Sequence, residues 1–190
     1  MANDCCGEMK VVSRKRSAIK RFARIMQYKD REYFCYRVRQ FDERWSGKEL
    51  SGNGKKHDFW VAHFGFDVAW SSHEWFHGTE DINDRLTRRD KLGRLRKLKA
   101  HYSNIPVIAK ALGIGVELFS TEPGCCFAEH AVCDSQGNFS YETENYEHVY
   151  PEDENGDPDL EAEPTEINGF GDAFTDFASA EEIYEGTAVS

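Results

Sequence analysis

The chain has 190 residues, of which 39% are apolar and 13% aromatic, and a mean hydropathy of −0.69. This is enough material for one ordinary core plus a polar appendage, and no apolar run approaches the roughly 18 residues of a membrane span. All 24 Lys and Arg residues lie at or before Lys110, whereas 20 of the 34 Asp and Glu residues follow it. A cation-free acidic region attracts basic partners and repels nucleic acid, so the composition favours an interaction protein over an enzyme.

The start of the chain places Asp4 and Glu8 before any apolar stretch, unlike a secretory signal. We therefore expect a cytoplasmic protein whose six cysteines are reduced. The vicinal pairs lack the two-residue spacer of tetrahedral zinc ligands.

The first half of the chain predicts strands and one helix. Residues 8–14 carry Met9, Val11 and Val12 and predict a strand, and residues 17–27 show an apolar stripe at helical spacing. Alternating bulky and charged residues predict a second strand over 33–41, and 46–56, rich in Gly, Ser and Lys, predicts a turn. Residues 57–70 are dense in aromatic and β-branched residues, which predicts a third strand.

The second half begins with helical spacing of Leu residues over 84–111, and Pro106 is expected to start a separate second piece that ends at Gly113. A strand over 115–120 and a hairpin of strands 125–133 and 139–149 follow, joined by turn formers at 134–138. The order predicts an α+β, ferredoxin-like β-α-β-β-α-β sandwich with an extra C-terminal hairpin, spanning residues 1–150.

The last forty residues read differently. Residues 151–164 are too acidic and too poor in apolar residues to bury surface, which predicts a flexible linker. Apolar residues three or four apart then predict an acidic amphipathic helix over 172–185. This helix either folds back on the domain or docks in a partner groove, with the candidate docking residues Phe170, Phe174, Phe177 and Tyr184.

One enzyme motif is present, because His73-Glu74-Trp75-Phe76-His77 satisfies H-E-x-x-H. On a helix, His73 and His77 would bind zinc and Glu74 would act as the general base of a hydrolase. However, Gly78 follows at once and the preceding segment is strand-like, so we expect a strand end with partly packed His and Trp. We expect no catalytic residue, no metal and no cofactor.

A basic segment precedes Lys110, with eight cations between positions 85 and 99. It predicts a helix face that neutralises phosphates, with candidate contacts Arg85, Arg88, Arg89, Arg94 and Lys97. A nucleic-acid-binding module with an autoinhibitory acidic tail is thus one alternative, and a zinc hydrolase is another.

The acidic region predicts a surface that imitates the phosphates of nucleic acid. Carboxylates on the last strand and hairpin would be held in fixed places, and the linker would add diffuse attraction. The candidate partner-binding residues are Glu117, Glu122, Glu129, Glu142, Glu144, Glu147, Glu152, Asp153, Glu154, Asp157 and Asp159.

Two stretches carry a resemblance: the start Met1-Ala2-Asn3-Asp4-Cys5-Cys6 with Arg21-Phe22, and Ile108-Ala109-Lys110-Ala111-Leu112-Gly113 running through Glu122-Pro123-Gly124 to Phe127-Ala128-Glu129-His130. They resemble the Api92-like family of phages and other mobile elements over residues 1–150. The resemblance implies a ferredoxin-like fold and a phage protein acting in the cytoplasm of a bacterial host. Combined with the charge, it suggests an inhibitor of a host nucleic-acid-binding defence enzyme, such as a CRISPR effector nuclease with its guide RNA.

Overall fold

The structure is a computed structural model. It describes residues 4–30, 34, 36, 38–50, 59–69, 71–78, 86–89, 95–98, 102–122, 127–152, 155–162, 165–168 and 176–188.

Nine strands and four helices are present in these ranges. The strands are β1 (Asp4–Ser13), β2 (Gln40–Glu49), β3 (Phe59–Ala69), β4 (Leu86–Arg89), β5 (Leu95–Leu98), β6 (Gly115–Glu122), β7 (Phe127–Cys133), β8 (Phe139–Val149) and β9 (Thr165–Asn168). The helices are α1 (Arg16–Met26), α2 (His73–His77), α3 (Ile105–Leu112) and α4 (Ala180–Glu185). None of these helices is long and apolar enough to cross a membrane.

The fold is α+β and is dominated by one antiparallel sheet of order β2-β3-β1-β6-β7-β8-β9. β9 pairs only with the end of β8, from Tyr146 to Val149, beyond the part that pairs with β7. β4 and β5 form a separate two-stranded ribbon. The sheet therefore carries most of the described architecture.

The main core lies on one face of the sheet. Helix α1 buries its stripe of Ile19, Phe22 and Met26 there, and α2 and α3 contribute residues to the same core. The stripe packs on the sheet because alternate strand residues such as Met9 and Val11 point to that face. This is the arrangement that the helical spacing predicts.

The opposite face of the sheet is covered by the C-terminal segment. Ala180 and Ile183 of α4 pack on Val12, Val61 and Val132. Ser179 caps this helix reciprocally with Glu182, which fixes its start at Ala180. The sheet thus has apolar cover on both faces.

Several predicted elements are confirmed. β1, α1 and β3 follow the predictions for 8–14, 17–27 and 57–70 within a few residues at each end. β6 and the β7–β8 hairpin are confirmed, as is the second helix piece, α3, which ends at Gly113 in the left-handed conformation. Local signals were sufficient in each case.

The predicted strand over 33–41 is confirmed only for Gln40 and Phe41, where β2 begins, and is wrong for the described residues 36, 38 and 39. Residues 33, 35 and 37 lie outside the described ranges. The Tyr28 hydroxyl donates to the Tyr36 carbonyl and accepts from the Val38 N–H, so a side chain satisfies backbone groups that a strand would pair. The predicted turn over 46–56 is wrong for residues 46–49, which pair with β3. Residues 51–56 lie outside the described ranges.

The predicted helix over the first part of 84–111 is also wrong, because 86–89 and 95–98 form the β4–β5 ribbon. Like charges three and four residues apart repel on a helix, and Gly93 adds about 1 kcal/mol of helix cost relative to Ala. The helical spacing of the Leu residues predicts a helix without taking the charge repulsion or the cost of Gly93 into account.

The C-terminal helix is shorter than predicted. Residues 176–179 are not helical and 172–175 lie outside the described ranges. The predicted linker contains a bridge between Glu152 and Pro158 and is followed by β9, which was not predicted.

Candidate functional site

A dense polar cluster surrounds Glu129, a β7 residue whose side chain faces the main core. Only 1% of Glu129 is exposed. Its Oε1 accepts from the hydroxyls of Ser71 and Tyr141. Its Oε2 accepts from the Ser72 hydroxyl at 2.7 Å, the Ser72 N–H at 2.9 Å and the Ser120 hydroxyl at 2.6 Å. We call Glu129 and these donors the Glu129 cluster.

Strand register assembles this cluster. Ser120 on β6 lies directly opposite Glu129, while Tyr141 on β8 pairs with Ala131, two residues further along β7. Ser71 and Ser72 arrive from the turn between β3 and α2. Two donor residues therefore lie on strands of the sheet, and the other two lie on the turn that follows β3.

The donors keep Glu129 ionised. Burial alone would raise its pKa, but the hydrogen bonds from Ser120, Ser71, Tyr141 and Ser72 outweigh burial and hold the pKa below its ordinary value. Burial, and then the charge of Glu129, raise the pKa of Tyr141 and of the Cys5 thiol. The carboxylate is thus negative, and its hydroxyl partners remain protonated.

A cleft of about 380 Å³ opens beside the cluster, with Glu129 among its lining residues. Its walls combine aromatic rings with hydrogen-bond acceptors, from His73, Phe127, Tyr141, Thr143, Glu144 and Asn145. Among the described residues, no Lys or Arg lines it. A small group that carries donors and positive charge matches this lining.

The H-E-x-x-H motif lies on α2, so the expectation of a strand end is wrong. The rings of His73 and His77 stack with centroids 4.1 Å apart, on a helical turn that the buried Trp75 and Phe76 hold against the core. Glu74 accepts from the Tyr36 hydroxyl at 3.2 Å. Among the described residues, no three His, Cys, Asp or Glu side chains form a group that could hold a metal.

Glu117 and Glu129 do not belong to an exposed partner-binding face, since both are buried. Glu117 Oε1 lies 3.0 Å from His130 Nε2, and its Oε2 accepts from the Ala178 N–H at 2.8 Å. Glu122 is also buried, at 1% exposure. Glu117 lies on the face of the sheet that the segment around Ala178 covers, whereas Glu122 and Glu129 have the strand parity of the opposite, main-core face.

The C-terminal segment is held to the sheet by the same kind of contact. Lys10 donates to the Ala178 carbonyl at 2.7 Å and pairs with Glu49 at 3.0 Å, while the Ala180 N–H donates to Glu49 at 2.7 Å. We call Lys10, Glu49 and Glu117 the tail latch. The charged groups of the tail latch therefore bind other groups of the same chain.

The predicted docking residues are also engaged. The ring of Phe177 meets those of His63 and Phe119 edge-on, with centroids 5.2 and 5.3 Å apart. Tyr184 lies against Phe59 and under the guanidinium of Arg14. Phe170 and Phe174 lie outside the described residues. The described part of this segment therefore folds back on the domain.

Other predicted acidic residues remain on the surface. Glu142, Glu144, Glu152 and Asp157 are exposed and Asp159 is half-buried. Glu147 lies on β8 at the position paired with Ile167 of β9. Asp153 and Glu154 lie outside the described residues.

The predicted basic face takes the form of a ribbon. Arg88 pairs with Arg96, and Thr87 with Lys97, while Arg89 ends β4. Arg85 and Arg94 lie outside the described residues. The described cations of 86–89 and 95–98 thus occupy a β-ribbon instead of a helix.

The Glu129 cluster was missed by sequence reasoning, although a signal existed. Glu129 shares strand parity with Ala131 and Cys133, two residues suited to a core. A carboxylate on that side needs several donors if it is buried, and Ser120, Ser71 and Ser72 were available. A count of charges along the chain ignores which face of a strand each residue occupies, and it therefore places Glu129 on the surface.

In comparisons with known proteins, no family model, no curated protein and no solved structure matches the chain. The resemblance of residues 1–150 to the Api92-like family therefore stays a hypothesis.

Proposed function

We propose that this protein is a non-catalytic inhibitor that covers the basic surface of a nucleic-acid-binding protein with an acidic edge. The acidic edge consists of Glu142 and Glu144 on β8, continued by Glu152, Asp159 and Glu161. The class of partner proposed is a host defence nuclease of the CRISPR effector type. Its basic channel for nucleic acid would be the surface that carboxylates occupy.

The observation that carries this proposal is that Glu142 and Glu144 are exposed and unpaired within the described residues. Both are exposed on a strand that the β7 ladder holds rigid, and neither makes an ion pair within the described part of the chain. Alternate residues of a strand lie roughly 6.8 Å apart, so the two charges form a fixed row. A row that is ordered before binding loses little entropy when it meets a basic surface.

Other carboxylates of this chain differ from Glu142 and Glu144, because they pair with groups of the chain itself. Glu117 and Glu49 hold the tail latch, and Glu185 pairs with Arg14 at 2.7 Å. The residues of the acidic edge take no part in these contacts. The Asp159 N–H donates to the Pro151 carbonyl at 2.8 Å, which turns the segment after β8 back on itself and keeps its charges together.

We also propose that the fold is ferredoxin-like. The order β2-β3-β1-β6 supports this, with α1 between β1 and β2 and α3 between β3 and β6 in the chain. β7 and β8 would then be the extra C-terminal hairpin. Such a fold hosts many unrelated functions, so it adds nothing to the choice of partner.

The test is competition with nucleic acid. Purified chain is added to RNA-guided effector nucleases loaded with guide, and binding of target DNA is measured by gel shift. We expect loss of DNA binding, and we expect Glu142→Lys/Glu144→Lys to abolish the effect. The control Asp42→Lys/Glu43→Lys makes the same charge change on β2, at the opposite edge of the sheet, and should still compete.

Unchanged DNA binding by effectors of every type, at saturating chain, would overturn the proposal. Equal competition by the β8 and β2 variants would also overturn it. Added salt should weaken competition by the wild type, because exposed charges are screened.

A second candidate function rests on the β4–β5 ribbon. Arg88 and Arg96 occupy paired positions, and a two-stranded ribbon is one of the shapes that enter the major groove of DNA. If it binds phosphates, Arg88→Gln/Arg96→Gln weakens DNA binding in a gel shift and lowers its salt dependence. Lys20→Gln/Lys110→Gln removes two exposed cations elsewhere and serves as the control.

A further inference from the structure

We propose that the cleft beside the Glu129 cluster binds the guanidinium group of an arginine side chain. This inference rests on the proposed function, because it names an anchor that the basic partner would insert. It concerns a different surface from the exposed row of Glu142 and Glu144, since the side chains of that row alternate with those of Tyr141 and Thr143 along β8.

The first argument is an uncompensated charge. Glu129 is ionised and 1% exposed, yet each of its hydrogen-bond partners among the described residues is a neutral hydroxyl, thiol or N–H group. No described Lys or Arg makes an ion pair with it. Neutral donors stabilise a carboxylate without cancelling its charge, so its field reaches the adjoining cleft, where low polarisability screens it less than bulk water does.

The second argument concerns the hydroxyls of Tyr141 and Ser71, which lie between Glu129 and the cleft. An ionised carboxylate has no proton to give, so the hydroxyls of Tyr141 and Ser71 must donate to Glu129. Donation leaves lone pairs on their oxygens. A hydroxyl that donates to an anion becomes a stronger acceptor, and both residues line the cleft. The wall therefore favours a donor that is also a cation.

The third argument concerns shape and chemistry. A guanidinium is flat and has five N–H donors in one plane and no acceptor. The cleft offers the side-chain oxygens of Thr143 and Asn145, which share a face of the sheet with Glu129, and aromatic surface from Phe127 and Tyr141. Arginine uses acceptors in its plane and aromatic rings on its faces, whereas an ammonium group lacks the flat face. The lining thus selects arginine over lysine.

The experiment titrates the full chain with N-acetyl-arginine amide and follows backbone amide chemical shifts by NMR. The matched probe is N-acetyl-citrulline amide, which has the same shape without the charge, and N-acetyl-lysine amide tests the ammonium. We expect saturable shifts around His73 and residues 141–145 with arginine. We expect about tenfold weaker binding for citrulline, as loss of a charged hydrogen bond implies.

Glu129→Gln removes the charge of the cluster and should weaken arginine binding about tenfold. Glu144→Gln changes a charge on the opposite face of β8 and should leave binding unchanged. Arginine and citrulline binding equally, both variants behaving alike, or no shift at these residues would each overturn the assignment.

The two proposals fail separately. If the chain blocks nuclease binding to DNA but arginine amide does not shift the cleft, the arginine site is wrong and the acidic edge stands. If arginine amide binds in the cleft but no effector is blocked, the site stands and the proposed partner is wrong.

Discussion

Glu129→Gln isolates the charge of the buried carboxylate, because glutamine has the same shape. One oxygen of the carboxylate becomes an NH₂ group. The hydroxyls of Ser71 and Tyr141 can rotate to accept from that group, whereas the N–H of Ser72 still needs the remaining oxygen. The variant is therefore expected to keep the fold while losing every charge-assisted bond of the cluster.

The loss in the free energy of unfolding follows from the number of charge-assisted hydrogen bonds to Glu129. A hydrogen bond to a charged group contributes about 1.5–3 kcal/mol, and a neutral one about 0.5–1.5 kcal/mol. Four hydroxyls and one N–H therefore lose about 1 kcal/mol each, but removing a buried charge returns part of this through desolvation. We expect the free energy of unfolding to fall by about 2–3 kcal/mol, a difference that urea denaturation followed by circular dichroism resolves.

The pH dependence gives a second signature. The folded pKa of Glu129 lies below its unfolded value, so ionisation stabilises the fold above the unfolded pKa, and this contribution is lost as the pH falls through the folded pKa. The gap between wild type and variant should be full at pH 7 and narrow in acid below about pH 4.3. Glu144→Gln, on the exposed edge, should stay within about 0.5 kcal/mol of wild type at each pH. Equal stability at pH 7, or a gap that does not narrow in acid, would refute the reasoning.

Two further measurements test packing and burial. Ile183→Ala should lower the free energy of unfolding by about 2–4 kcal/mol, because Ile183 is fully buried against the second face, whereas the 44% exposed Val107→Ala should change it little in the same denaturation assay. Brief iodoacetamide treatment followed by mass spectrometry should label the exposed Cys6 and spare Cys5 and Cys133 until urea is added. Burial raises the pKa of Cys133 to about 12, which leaves almost no thiolate, and labelling of Cys133 in the native state would contradict its placement.

Parts of the fold were predictable from sequence because their signals are local. The aromatic and β-branched run of β3, the turn residues between β7 and β8, and the Pro106 and Gly113 boundaries of α3 each determine their own element. The β4–β5 ribbon was not predictable from Leu spacing, since Leu95 and Leu98, three residues apart, have a helical spacing although they belong to a strand. Repulsion between like charges three and four residues apart works against the helix that this spacing favours.

The candidate site was only partly predictable for a different reason. Net charge along the chain identified Glu142 and Glu144 correctly as exposed residues, but it also assigned Glu117 and Glu129 to the same surface. Whether a strand carboxylate is exposed depends on what covers its face. The cover over Glu117 is the segment around Ala178, sixty-one residues further along the chain, and no local pattern contains that information.

The tail latch has a consequence for the order in which the chain folds. Lys10 contacts Ala178, and Arg14 contacts Glu185, across 168 and 171 residues of sequence. During synthesis, the apolar face around Val12 and Val61 therefore remains uncovered until residues 177–188 have left the ribosome. Contacts of such long range close late and slowly. A nascent chain would expose this apolar face until then, so its solubility in the cell depends on how soon residues 177–188 emerge.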